Sequence, residues 1–190
     1  MMRNAKWLSI MLLFCSAATP ILPHQTTAKS KSTKIEEKPA LAREVQHQIQ
    51  VLPFYSVFDY INFTVEGSKV TLAGQVVRPG LREQAEADIK SIEGVETVVN
   101  HIEILPTSAS DDDLRDSVYR AVYEDKALER YAVRDNPPVH IIIKNGNATL
   151  EGFVQSPADK NLAATRTKAV PNVVSVRNNL EVHPERSPSE

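Results

Sequence analysis

Cysteine and an excess of charge of one sign are both missing from this chain. A single cysteine among 190 residues excludes an internal disulfide and a metal site built from several thiolates. The 22 basic and 24 acidic residues give a formal net charge of -2, so the chain lacks the surplus of lysine and arginine that non-specific nucleic-acid binding needs. Its length leaves room for one ordinary domain or two small ones. Folding must therefore depend on the burial of apolar side chains.

The motifs of common enzymes are also missing. The sequence contains no Gly-rich phosphate loop, no Gly-x-Ser-x-Gly elbow, no His-Glu-x-x-His and no pair of cysteines. His140 alternates with Val139 and Ile141, and His101 precedes Ile102 in the same way. We therefore expect both histidines on solvated strand faces and not as metal ligands. The sequence predicts a protein with no catalytic residues, no metal and no cofactor.

The N-terminus has the pattern of a targeting segment. Arg3 and Lys6 precede an apolar run from Trp7 to Ala18, and small residues follow. This order predicts a secretory signal peptide over residues 1–28, with cleavage after Ala18 or after Ala28 both open. The run is shorter than the roughly 20 residues that span a bilayer, so we expect no transmembrane span in the mature protein. The pattern implies a periplasmic or secreted bacterial protein.

The residues around this segment are expected to lack a fixed structure. Cys15 follows the bulky Phe14, whereas bacterial lipoprotein signals place a small residue there, so lipidation is not expected. Residues 29–39 are rich in lysine and poor in apolar side chains, which predicts a flexible basic leader. Residues 185–190 are predicted to form a disordered tail.

The rest of the chain consists of two copies of one sequence repeat. Val70–Gly74 aligns with Ala148–Gly152 at an offset of 78, and the match continues without a gap to Ile104 and Val182. Upstream the offset is 73, so the second copy has gained five residues between its first helix and its first strand. A tandem duplication is predicted. Its repeats span residues 40–106 and 113–184, joined by a linker over residues 107–112.

Each repeat has the same order of predicted elements. Leu41, Val45 and Ile49 recur at helical spacing, two alternating strands follow, and Pro79 starts a second helix before a last strand. The second repeat has the same order, with Pro157 at its second helix and Asn-Gly at its hairpin turn. The fold class is therefore α+β, with two tandem αββαβ units. Each unit is a three-stranded mixed sheet covered on one face by two helices.

Three local features complete this prediction. Asp111 to Asp113 are expected to cap the first helix of the second repeat. Gly74 and Gly152 lie inside strand patterns, and we attribute both to packing of the second helix across the sheet. Units of this size bury a limited part of their surface, so the two repeats are expected to pack on each other.

The repeats resemble a known family. The Val-x-Leu-x-Gly-x-Val strand over residues 70–76, the proline and helix after it, and the ending that runs from Gly94 through Asn100 to Ile104 are similar to the BON domain. The resemblance covers residues 41–106 and 113–183, with Asn172 in place of the turn glycine Gly94. It implies a non-catalytic envelope domain. Some relatives bind anionic phospholipid, and others are periplasmic proteins induced by osmotic stress.

Charge is divided unequally between the repeats. Residues 41–106 hold 5 basic and 9 acidic residues, a formal charge of -4, whereas residues 111–184 hold 10 and 11, a formal charge of -1. If either repeat meets an anionic surface, we expect the second. Its candidate lipid- or partner-binding residues are tyrosines expected on its first helix and bases of its second helix and last strand: Tyr119, Tyr123, Tyr131, Lys160, Arg166, Lys168 and Arg177. The three aspartates of the first helix oppose this role.

Two functions follow. In the first, the protein binds phospholipid or an envelope partner and supports envelope integrity or stress tolerance. In the second, it is a protein-protein interaction or oligomerisation module of a secreted assembly and binds no lipid.

Overall fold

The computed structural model describes residues 33–132 and 137–183, with side chains described from residue 40 onward. The predicted signal peptide, Cys15 and the predicted tail lie outside the described residues. The first repeat contains α1 (Thr33–Gln50), β1 (Tyr60–Glu66), β2 (Lys69–Val76), α2 (Pro79–Lys90) and β3 (Thr97–Ile104). The second contains α3 (Ala109–Tyr123), a 3₁₀ helix (Glu129–Tyr131), β4 (Val139–Lys144), β5 (Asn147–Val154), α4 (Pro157–Lys168), β6 (Ser175–Asn178) and β7 (Glu181–Val182).

The two sheets share one topology. In the first repeat β2 is central, antiparallel to β1 and parallel to β3, with Phe63 opposite Leu72. In the second repeat β5 takes the central place between β4 and β6, and β7 continues the last strand alongside β5. These mixed sheets and the element order confirm the predicted α+β fold with two αββαβ units.

Each sheet is covered by helices on the face that carries its apolar residues. The first core joins Val45 and Ile49 of α1 to Leu72 of β2 and to Ala85 and Ile89 of α2. The second core joins residues of α3, β4, β5 and α4 in the same arrangement: Leu114, Val118, Ile141, Leu150 and Ala163. Pro79 and Pro157 lie in the first turns of α2 and α4, as predicted.

The first helix of each repeat begins earlier than predicted. Helix α1 starts at Thr33, so it includes residues 33–39, which the charge pattern assigns to the leader. Helix α3 starts at Ala109, and its N-cap is Ser108, whose side chain accepts a hydrogen bond from the amide of Asp111. The predicted capping by the aspartates is therefore wrong, because a serine just upstream takes that place.

Asp111 instead fixes the hairpin turn of the second sheet. Its carboxylate is buried and accepts hydrogen bonds from the amides of Asn145 (2.8 Å) and Gly146 (2.9 Å). Both turn residues have positive φ, 50° and 76°, as a two-residue Asn-Gly hairpin requires. One carboxylate thus ties the start of α3 to the β4–β5 turn.

Gly74 and Gly152 are required by a neighbouring backbone and not by a helix. A Cβ atom at Gly74 would lie 2.0 Å from the carbonyl oxygen of Tyr60, and one at Gly152 would lie 2.0 Å from that of Pro138. The φ angles are +132° and +100°, which a residue with a side chain rarely adopts. The expectation that the second helix packs on these glycines is wrong, since the close neighbour is the chain at or just before the start of the adjacent strand.

The turn before the last strand has the same backbone conformation in both repeats, although glycine in the first is replaced by asparagine in the second. Gly94 has φ 91°, and the corresponding Asn172 has φ 68°. Asparagine is among the residues with a side chain that enter this left-handed region most readily, so the second repeat keeps the turn.

We expect Gly74→Ala to destabilise the protein by about 2–4 kcal/mol, because the new methyl group meets a carbonyl oxygen at a strained φ. Gly80→Ala is the matched control, since nothing lies within 4 Å of a Cβ atom built on this glycine of α2. It should be neutral or stabilising by about 0.5–1 kcal/mol. Urea unfolding of both variants measures the difference. Equal free energies of unfolding would contradict the close approach.

Candidate functional site

The segment between α1 and β1 of the first repeat packs against the second repeat. Val57 of this segment is buried in the core of the second repeat, and its carbonyl oxygen accepts a hydrogen bond from the amide of Ile141 at 2.7 Å. The ring of Phe58 meets Tyr119 edge-on, with ring centroids 6.2 Å apart. The first repeat thus completes the core of the second, which confirms that the repeats pack on each other.

Asp59 holds this segment in shape. Its buried carboxylate accepts hydrogen bonds from the amide (3.0 Å) and hydroxyl (2.6 Å) of Ser56 and from the amide of Val77 (2.7 Å). Tyr55 adds a second tie, because its hydroxyl oxygen accepts a hydrogen bond from the amide of Ile61 at 3.2 Å. The loop that enters the second repeat is therefore anchored in the first.

His140 lies in the contact between the repeats. It is on the face of β4 opposite to Val139 and Ile141, as predicted, but only 7% of it is exposed. Its ring lies 5.5 Å, between centroids, from both Tyr55 and Tyr60. The prediction of a solvated histidine is wrong, because the first repeat covers this face of β4. Exposed His101 has no such cover.

The same face of β4 continues the contact along the strand. Ile142 is 2% exposed although it alternates with the core residues of its own repeat. Beyond it, the ammonium group of Lys144 binds the carboxylate of Glu103 on β3. Hydrogen bonds from Gln75 and Lys144 hold the pKa of Glu103 below its usual value. An ion pair therefore joins this face of β4, on which His140 and Ile142 are buried, to the first repeat.

The burial of His140 has an electrostatic consequence. Loss of solvation lowers the pKa of His140 and outweighs the opposing effects of Asp59 and Ser56. Its Nδ1 atom has no hydrogen-bond partner among the described residues. Burial in the contact between the repeats thus favours the neutral form of the His140 imidazole.

A cleft of about 340 Å³ opens beside His140 between the repeats. Burial, and to a lesser extent the negative charges of Glu151 and Glu181, raise the pKa of Tyr60 at its wall. The rings of Phe153 and His183 stack at 5.5 Å with 19° between their planes. The lining comes from the end of α1, the segment after it, β1, β4, β5 and the last strand: Gln46, Ile49, Gln50, Tyr55, Tyr60, Ile61, Asn62, Phe63, Pro137, Pro138, His140, Gly152, Phe153, Glu181 and His183.

The tyrosines expected to bind lipid or a partner are mostly internal. Tyr123 is buried, and its hydroxyl donates to the carbonyl oxygen of Val139. Tyr131 lies in the 3₁₀ helix and not in the first helix of the repeat; its hydroxyl donates to Asp159 and accepts from the amide of Gln155. Tyr119 is half-buried against Phe58 and Tyr123. In this structure Tyr123 and Tyr131 stabilise the domain core.

The basic residues of the same prediction do not converge. Lys160, Arg166 and Lys168 lie on α4, where the guanidinium of Arg166 donates to Asp125 at 2.7 Å. Arg177 pairs with Thr149 in the sheet and alternates with Val176, which packs against the core. Its side chain is therefore on the face away from α4, and the four bases form no single patch. Their role in binding stays a prediction.

The outward face of α3 is acidic. Asp112, Asp113, Asp116 and Glu124 are exposed there, with Arg120 as the exposed base. Asp112 also binds the buried guanidinium of Arg115. An acidic helix face repels anionic headgroups, so the opposition expected from the sequence is present on the folded surface.

Two further types of site, a metal centre and a membrane-spanning helix, are absent from residues 33–132 and 137–183. Within these ranges no three side chains of His, Cys, Asp or Glu come together as metal ligands. The helices of the same ranges are all too short or too polar to cross a membrane.

Comparison with known families identifies the repeats. A model of the BON domain matches residues 40–106 and 110–184. The chain belongs to the BON domain family. Its two BON domains support a non-catalytic role in the cell envelope or in protein interaction. No curated protein matches the sequence.

Solved structures give more distant matches. One is a structural study of CdsD, a structural protein of the type III secretion system of Chlamydia trachomatis, which is 14% identical with a TM-score of 0.29 and covers 79% of this chain and 100% of its own. The C-terminal domain of CdsD is 12% identical with a TM-score of 0.27 and covers 76% of this chain and 98% of its own.

The cleft between the BON domains was not predicted from the sequence. Alternation places His140 on the correct face of β4 but cannot show what covers that face. One signal was present, since Ile141, Ile142 and Ile143 are consecutive and apolar side chains on both faces are typical of a strand buried on both. The two BON domains could have been placed in contact at β4 on this basis.

We predict that the free energy of unfolding falls as the pH is lowered from 8 to 5. A histidine with a lowered pKa in the folded state stabilises the fold above about pH 6.5, its pKa when unfolded, and this contribution is lost as the unfolded chain takes up a proton. His140→Phe keeps a ring and should reduce the loss. His101→Gln, at an exposed site, should not. Urea unfolding at both pH values tests this, and an equal loss in His140→Phe and the parent protein would contradict it.

Proposed function

We propose that this protein is a non-catalytic interaction protein of the bacterial cell envelope, in which two BON domains form one body and bind a protein partner at the cleft between them. The observation that carries the proposal is the cleft itself. Concave surfaces between domains, with aromatic rings and a few polar groups, are the usual place for ligands. Here Tyr60, His140 and Phe153 supply rings, and Gln46 and Asn62 supply polar groups.

The location in this proposal rests on the N-terminal pattern and on the family. A signal peptide over residues 1–28 directs the chain to the periplasm or outside the cell. BON domains are consistent with either place. Within the envelope, a protein that binds a partner and catalyses no reaction would support envelope integrity under osmotic stress.

Phospholipid binding is the second candidate. It is favoured by Lys160 and Lys168, two bases that lie on the same helix, α4. Against it stand the ion pair of Arg166 with Asp125 and the opposite orientation of Arg177. The acidic face of α3 adds repulsion. The distribution of charge therefore favours a protein partner.

A photo-crosslinking amino acid at position 62 tests the proposal. Asn62 is exposed at the cleft, so we expect one discrete adduct with an envelope protein in intact cells. The same amino acid at position 113, on the outward face of α3, is the matched control and should give none. Equal adducts at both positions, or none at position 62, would contradict a partner at the cleft.

Vesicles of graded anionic content at low and high salt test the second candidate. The proposal predicts no salt-sensitive co-sedimentation. Binding at low salt that is abolished by replacing Lys160, Arg166 and Lys168 with Glu, but not by replacing Lys69, Arg82 and Lys90 of the first domain, would establish the lipid function instead.

A further inference from the structure

We infer that the cleft between the BON domains binds a cationic side chain, a lysine ammonium or an arginine guanidinium, presented by the protein partner. This inference rests on the proposed function and names the chemistry of the contact. It follows from the rings, the charges and the amide groups that the structure places at the cleft.

Aromatic rings line much of the cleft. Tyr55 and Tyr60 flank His140, each with ring centroids 5.5 Å from it, and Phe153 stacks on His183 across the same cleft. The π faces of such rings carry partial negative charge and attract cations. Phe153 remains 38% exposed, which leaves part of its ring open to a ligand.

The charges at the cleft have one sign. Glu181 lines it with a side chain that is 71% exposed and lies 3.0 Å from Nε2 of His183. Glu151 acts together with Glu181 on the hydroxyl of Tyr60. None of the lining residues within the described ranges is a lysine or an arginine. A cation therefore meets the carboxylate of Glu181, which His183 also contacts, and no lysine or arginine among the described lining residues.

The remaining polar groups favour a charged donor over other ligands. Gln46, Gln50 and Asn62 offer amide oxygens that accept hydrogen bonds from an ammonium or guanidinium group. An anion would meet no lysine or arginine among the described lining residues, and an apolar ligand would leave these amides and the carboxylate unsatisfied.

The histidine ring resonances of the full chain provide the test. At pH 8, where histidine is neutral, N-acetyl-lysine amide and N-acetyl-arginine amide should shift the signals of His140 and His183 in a saturable way. His47 and His101 do not line the cleft and are internal controls. N-acetyl-norleucine amide has a similar chain without charge and should shift none of the four.

Two variants sharpen this test. Glu181→Gln should weaken binding of the lysine amide about two- to fivefold, the range expected for an exposed ion pair. Glu83→Gln, on the exposed side of α2, should leave the affinity unchanged. Both positions are exposed, so neither variant should disturb folding.

Several results would overturn the inference. These are binding of the norleucine amide with the affinity of the lysine amide, equal shifts of all four histidines, or an unchanged affinity in Glu181→Gln. Vesicles containing phosphatidylethanolamine that shift His140 and His183 would assign the cleft to a lipid headgroup instead. If the lysine amide fails to bind but position 62 still forms its adduct, the partner site stands and its cationic ligand is wrong.

Discussion

The hydrogen bond between the amide of Ile141 and the carbonyl oxygen of Val57 lies at the contact on which this architecture depends. β4 is the outer strand of its own sheet, and an outer strand leaves amides without partners in the sheet. The first domain supplies the missing acceptor and at the same point inserts Val57 into the apolar core. The position of His140 and the shape of the cleft both follow from this contact.

The two BON domains have the same topology but use corresponding positions differently. Asn62 and His140 align at the offset of 78 residues and both line the cleft, yet Asn62 is exposed and His140 is buried. The backbone amide just after the central strand also has a different acceptor in each domain. It donates a hydrogen bond to the carboxylate of Asp59 in the first domain and to the hydroxyl oxygen of Tyr131 in the second. The two copies thus share one backbone fold, while the side chains at corresponding positions have diverged.

Much of the fold could be predicted because it depends on short-range patterns. Alternation locates the strands, helical spacing locates the first helices, and Pro79 and Pro157 mark where the second helices begin. The site could not be predicted in the same way. Whether His140 is solvated depends on a loop about 80 residues earlier in the chain, and the need for Gly74 depends on where the carbonyl oxygen of Tyr60 lies across the sheet. Tyrosines on an amphipathic helix look the same in sequence whether they face solvent or, like Tyr123, the core.

The two BON domains form one body through the edge of β4. Hydrogen exchange of the Ile141 amide tests this most directly, because this amide points away from its own sheet and its partner belongs to the other domain. The account predicts protection close to that of the central strand β5. Exchange at the rate of a free strand edge would show that the domains are not docked in this way and would contradict the account.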